Sequence, residues 1–258
     1  MHLGIGGVIV VGILSLIFHQ NLFTLFSGSG PSAPVQSAPN RPLDAREQPE
    51  VQFISAVLDD VQSTWDQQLP EMAHRPYRHA RLVLFRDAYP SGCGTAQTAI
   101  GPFYCPEDEK VYLDLGFFNE LSQRFGAPGE FAQAYVVAHE IGHHVQKILG
   151  IESKVRRLQQ ESPESTNRYS VALELQADCF AGVWGHWGER HGMVGQSDIP
   201  AGLQAAAAVG DDRLQRMSTG RVMPETFTHG SSAQRTHWFQ QGLDSGRISA
   251  CNTFRNPE

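Results

Sequence analysis

The 258-residue chain has no GxxxxGKS/T segment and no strand-linked GxGxxG, so no nucleotide-binding loop is encoded. It has no basic excess either. Its 20 Lys and Arg stand against 27 Asp and Glu, a net charge of −7. Nucleic acids are met by basic faces or stripes, so no nucleic-acid partner is expected. No internal repeat is visible, and the four cysteines, Cys93, Cys105, Cys179 and Cys251, form no CxxC pair, which argues against a structural zinc knuckle. The length is enough for one compact domain with a full core.

Charge is also missing from Leu3 to Phe18, and after His19, Gln20 and Asn21 an apolar run continues to Phe26. At about 1.5 Å per residue this stretch reaches across a hydrocarbon layer of about 30 Å. Residues 1–26 are therefore expected to form a transmembrane anchor, a membrane contact for the chain. A cleaved signal peptide is the rival reading; it lacks its basic leader here, although "SGSGPSA" offers a cleavage site. Ten of the sixteen residues 27–42 are Ser, Gly or Pro, a composition that cannot bury apolar surface, so 27–47 reads as a linker and 48–258 as the globular domain.

Four cysteines permit three pairings. The favoured one joins Cys93 to Cys105 across a short loop and Cys179 to Cys251, pinning the C-terminal tail to a helix; four buried free thiols are the alternative. Disulfides need an oxidising compartment, so they put the domain outside the cytoplasm. This outweighs the weak opposite indication of Arg41 and Arg46 behind the apolar stretch.

In the globular part, apolar residues at 51, 54, 57, 58, 61 and 65 have a helical period. Segments 80–87 and 110–117 read as strands, with a hairpin-like excursion between them. From Pro128 onward the pattern is helical over 129–149, 152–160, 165–188, 199–214 and 231–244. The expected fold class is α+β: a predominantly helical domain beside a small sheet.

One of these helices carries "AYVVAHEIGHHVQ" (134–146), in which His139, Glu140 and His143 make an H-E-x-x-H pattern. Four residues advance a helix by about 400°, so His139 and His143 share a face and can each give one nitrogen to a single ion. His144 points about 140° away from His139 and is assigned no metal role. From the composition, random placement yields about 0.03 such motifs in a chain of this kind. A third ligand is needed. A third histidine would require Gly at 146 and His at 149, where Gln146 and Leu149 stand. The other form takes a Glu from a second helix with a carboxylate one turn on, and "VALELQADCFAGVW" supplies Glu174 and Asp178. Glu174 is the expected ligand. Asp178 is the expected partner of a ligating histidine's other ring N–H.

With these motifs in place, the chain resembles the bacterial neutral zinc metallopeptidases, a family of membrane-anchored, zincin-like proteins. The resemblance rests on Ser91–Gly94 ("SGCG"), Gly101–Pro106 ("GPFYCP"), Ala138–Gln146, Glu174–Trp184 and Thr228–Arg235, in that order, and covers about 50–254. It implies a zincin-like fold with one catalytic Zn(2+), a peptide or protein substrate, and a place at the bacterial inner membrane with the domain facing the periplasm or cell exterior. In the mechanism it implies, Glu140 is the general base. By analogy with other zincins, strand 110–115 is expected to lie along the cleft as an edge for an extended substrate.

The spacing of His229 and Arg235 resembles the H-P-x4-R element of prenyl-protease-type gluzincins, with Gly230 in place of the proline. It implies that His229 donates to the oxyanion and that Arg235 pairs with a carboxylate near the zinc, Asp178 being the obvious one. The same stretch, Thr228–Ser232, also fits a plain helix cap. Two further function classes are a non-catalytic zinc-binding scaffold, which would need the ligands but not Glu140, and a disulfide-stapled binding module without metal.

Overall fold

Ile54, Val57, Val61, Trp65 and Leu69 recur every three or four residues and all are buried, which is why Gln48–Ala73 forms one long helix, α1. The computed structural model describes residues 44–97 and 101–255; the expected membrane anchor and most of the linker lie outside them. Folded structure starts slightly before position 48. Asp44 caps a 3-10 turn over Ala45–Glu47, and Glu47 pairs with Arg86. Among the described residues, no helix is long and apolar enough to cross a membrane.

Strands β1 (Arg81–Phe85) and β5 (Lys110–Asp114) run parallel, and β4 (Phe103–Cys105) lies antiparallel on the other side of β5, giving the order β1-β5-β4. Strands β2 (Ala88–Ser91) and β3 (Gly94–Gln97) form a separate hairpin. The expectation that strand 110–115 is an edge is therefore corrected: β5 is paired on both sides, and Val111 to Asp114 are all buried. The edges are β1 and β4, and the three residues of β4 are too few to show a period. The strand also stops before 117. Asp114 accepts the backbone N–H groups of Asp87 (3.0 Å) and Gly116 (2.6 Å), and helix α2 (Gly116–Gln123) starts there.

The rest is helical: α3 (Glu130–Leu149), α4 (Ile151–Glu161), α5 (Thr166–His191), α6 (Ile199–Ala208), α7 (Asp211–Thr219) and α8 (Ser232–Ser245). Sequence periodicity runs 199–214 together as one helix; the chain instead breaks at Val209 and Gly210. The reason is steric. A Cβ on Gly210 would lie 2.3 Å from the Ser232 backbone nitrogen, so the start of α8 packs directly on this break. Glycine also sets the spacing of the central helices. A Cβ on Gly242 of α8 would stand 1.9 Å from the Cys179 carbonyl of α5, and one on Gly142 of α3 would stand 2.9 Å from the Ala177 carbonyl of α5. The backbones of α3, α5 and α8 thus meet almost without side chains between them.

Around these crossings Trp65 packs edge-on against Phe180, and Phe131 stacks on Trp184. Both disulfides form with the favoured pairing. Cys93–Cys105 ties the β2–β3 turn to β4, and Cys179–Cys251 ties the tail to α5.

Candidate metal centre

The close crossing of α3 and α5 at Gly142 brings Glu174 to the face of α3 that carries His139 and His143. Glu174 Oε2 lies 3.3 Å from His139 Nε2, and its Oε1 lies 3.5 Å from His143 Nε2. One ligand atom from each of the three side chains lies within 4.8 Å of the others. The side chains of His143 and Glu174 are each 20% exposed, so the cluster is open to solvent on one side.

The far nitrogens of both rings are committed elsewhere, which turns Nε2 of each towards Glu174. His139 Nδ1–H donates to Asp178 Oδ1 at 2.8 Å, and His143 Nδ1–H donates to Gln146 Oε1 at 2.9 Å. Gln146 is held in turn by the Leu173 carbonyl (2.8 Å) and by Gln176 (3.1 Å), which donates to the Cys251 carbonyl (2.8 Å). Sequence reasoning used position 146 only to dismiss a third histidine. That Gln146 falls on the His143 face at i+3 was the available signal. His144 faces away: its Nε2–H donates to the Arg78 carbonyl at 2.6 Å and its Nδ1 accepts from Tyr104 Oη at 2.9 Å.

Asp178 has no solvent exposure and is fully paired. Arg235 donates to it through Nε and Nη2, both at 2.9 Å, and Tyr135 donates through its hydroxyl. Arg235 Nη2 also reaches Tyr135 Oη at 3.2 Å. Burial pushes the Asp178 carboxyl up, but Arg235 and His139 more than offset this and hold it below its usual range. Tyr135 stands four residues before His139, hence on the same helical face; its polar end in an apolar helix was the signal for it.

Glu140 is 7% exposed and points to the same region. Burial pushes it above the usual carboxylate range, against the pull of His139 and His143 and of a hydrogen bond from the Tyr104 backbone. That contact sets β4 beside Glu140.

His229 stands at the third side. Its Nδ1 lies 3.3 Å from Asp211 Oδ1, and Asp211 Oδ2 accepts the backbone N–H groups of Thr228 (2.7 Å), His229 (2.7 Å) and Gly230 (3.2 Å). Burial lowers the His229 pKa, but the charge of Glu174 and the bond to Asp211 raise it above its ordinary value. The helix cap is a separate feature: Ser231 and Gln234 form a capping box at the start of α8. Asp211, 1% exposed, escaped sequence reasoning because an acid in the first turn of a helix reads as a cap.

The donor set fits a divalent ion. Two imidazole nitrogens and a carboxylate oxygen converge within 4.8 Å, a donor set that zinc takes with one position left for water.

The family described as "Putative neutral zinc metallopeptidase" matches residues 2–254. The chain belongs to this family. It is 46% identical over 254 residues to "Uncharacterized protein YpfJ" of Escherichia coli (strain K12), covering 97% of this chain and 87% of that one. It is 42% identical over 212 residues to "Uncharacterized protein Rv2575" of Mycobacterium tuberculosis (strain ATCC 25618 / H37Rv), covering 78% and 69%. No solved structure matches the chain. Membership in a zinc metallopeptidase family implies zinc for the His139, His143 and Glu174 group, which can hold a metal.

Proposed function

We propose that the protein is a zinc-dependent peptidase in which His139, His143 and Glu174 hold one zinc ion. The observation that carries this reading is the convergence of the two Nε2 atoms on Glu174 with Glu140 beside them. When bound at such a site, zinc lowers the pKa of water from 15.7 towards about 7 and polarises a carbonyl.

The chain's own groups supply the rest. Glu140 takes a proton from the attacking water and hands it to the leaving amine. His229, steadied by Asp211, donates a hydrogen bond to the carbonyl oxygen as that oxygen gains charge. Asp178, clamped by Arg235 and Tyr135, keeps the His139 ring oriented. The edge of β4, next to Glu140, receives an extended peptide. Two disulfides support a site of action outside the cytoplasm, and the apolar residues 1–26 support an anchor in the bacterial inner membrane.

The test is digestion of an unbiased peptide library by the purified zinc-loaded chain. Glu140→Gln should keep zinc and fold while hydrolysis disappears. His229→Ala should keep both and lose about 10²–10³ in turnover, the usual cost of one oxyanion donor. A Glu140→Gln protein as fast as the parent would defeat the mechanism. A folded, zinc-loaded parent that cleaves nothing would favour a non-catalytic scaffold.

A further inference from the structure

Where β4 ends, the chain turns through Pro106 and Glu107 over a cleft of about 330 Å³, whose other side is built by Lys147 of α3 and by Glu152, Arg156 and Arg157 of α4. This cleft adjoins the metal centre along two elements. Lys147 stands four residues after His143, one turn further on nearly the same face of α3, about 6 Å along the axis. Pro106 follows directly on the strand whose Tyr104 backbone bonds to Glu140. A peptide lying extended at about 3.3 Å per residue from the metal along β4 reaches the cleft with the side chain about two to four residues from its cleaved bond.

The charges there are uneven. Both acids are already engaged: Glu152 with Arg156 (2.5 Å) and Lys147 (3.8 Å), and Glu107 with Arg156 (3.6 Å). Arg157 lines the cleft, is exposed, and has no carboxylate partner among the described residues. Three cations face two acids, and the one left over is a guanidinium, whose planar fork matches a carboxylate.

We propose that this cleft is a specificity subsite, and that the enzyme selects peptides carrying Asp or Glu two to four residues from the cleaved bond, with Arg157 as the main contact and Lys147 supporting it. The proposal rests on the peptidase reading for what occupies the cleft.

Binding separates the two, since it needs no turnover. Fluorescently labelled peptides that differ only in Glu, Ala or Lys at each position are titrated against zinc-loaded Glu140→Gln, with Arg157 intact and with Arg157→Glu. Arg157 makes no ion pair among the described residues, so its reversal is expected to leave the fold undisturbed, which circular dichroism and thermal melting verify. The expected result is a preference for Glu over Ala of about 5- to 10-fold, confined to one or two positions, weakened by added salt, and abolished or turned towards Lys in Arg157→Glu. Peptides that bind without a Glu preference overturn the subsite and leave the peptidase reading standing, as does a preference that survives Arg157→Glu. Absence of binding by every peptide overturns the subsite and counts against the peptidase reading as well. Glu-selective binding by a parent chain that hydrolyses nothing would keep the subsite and defeat only the catalysis.

Discussion

Asp211 shows how much one buried side chain does here. Its carboxylate holds three backbone N–H groups and lies against His229, so it shapes the loop that presents that ring. Burial pushes the Asp211 carboxyl up, while hydrogen bonds from the His229 side chain and from the backbone bring it below its ordinary value. A depressed carboxylate stabilises the fold above its unfolded pKa of about 3.9 and loses that contribution as pH falls through the folded value. His229 is raised, so its share is present below about 6.5 and fades as pH rises through its folded value. Asp211→Asn should therefore cost about 2–3 kcal/mol between about pH 5 and 6.5. The difference should shrink below about pH 4 and shrink in part on the alkaline side. Denaturant titrations of both proteins from acid to alkaline pH read this directly, and a difference that does not vary with pH would refute the pairing. At this scale the sequence was legible wherever spacing on one helix decides geometry, as for His139 and His143. It singled out His229 but was silent on its pairing with Asp211, 18 positions away in a different helical context, because nothing local says that they meet.

The helices were read well and the strands only in part, for a physical reason. Long amphipathic periods such as those of α1, α3 and α5 declare themselves, whereas Phe103–Cys105 is a three-residue strand, and the edge role of 110–115 rested on analogy alone while β5 is the buried central strand. Nor does periodicity mark the break at Gly210, which comes from the approach of Ser232. The crossing of α3 and α5 is the element-level feature that makes the site, since Gly142 lets the Glu174 helix come close enough for its carboxylate to reach both histidines. Gly142→Ala puts a methyl 2.9 Å from the Ala177 carbonyl and 3.1 Å from its Cα, neither of which can turn aside. It should cost about 1–3 kcal/mol of stability, the usual penalty of overpacking. Zinc affinity should fall at least tenfold as α5 is pushed away. Unchanged melting and zinc competition curves for Gly142→Ala would mean that the crossing does not control the site.

Across the whole molecule, the covalent frame and the metal centre are one system. The Cys179–Cys251 bond spans 72 residues of chain, and the Cys251 carbonyl ends the hydrogen-bond path that runs through Gln176 and Gln146 to His143. In the chain-entropy account such a loop contributes about 4 kcal/mol. Replacing both cysteines by serine should lower the melting temperature by about 10 °C and weaken zinc binding as well. A variant that melts earlier but binds zinc as tightly would confine the disulfide to stability. The frame was legible in four cysteines and their spacing, but its link to His143 was not, since that passes through amide side chains and a tail carbonyl with no sequence signature. The claim beneath all of this is that three side chains from two helices hold one zinc ion. Elemental mass spectrometry of the purified chain, dialysed against excess zinc and then against metal-free buffer, measures it most directly. One zinc per chain in the parent and in Glu140→Gln, with almost none in folded Glu174→Ala, is the expected result. Equal zinc in Glu174→Ala and the parent, or none in a folded parent, would contradict it.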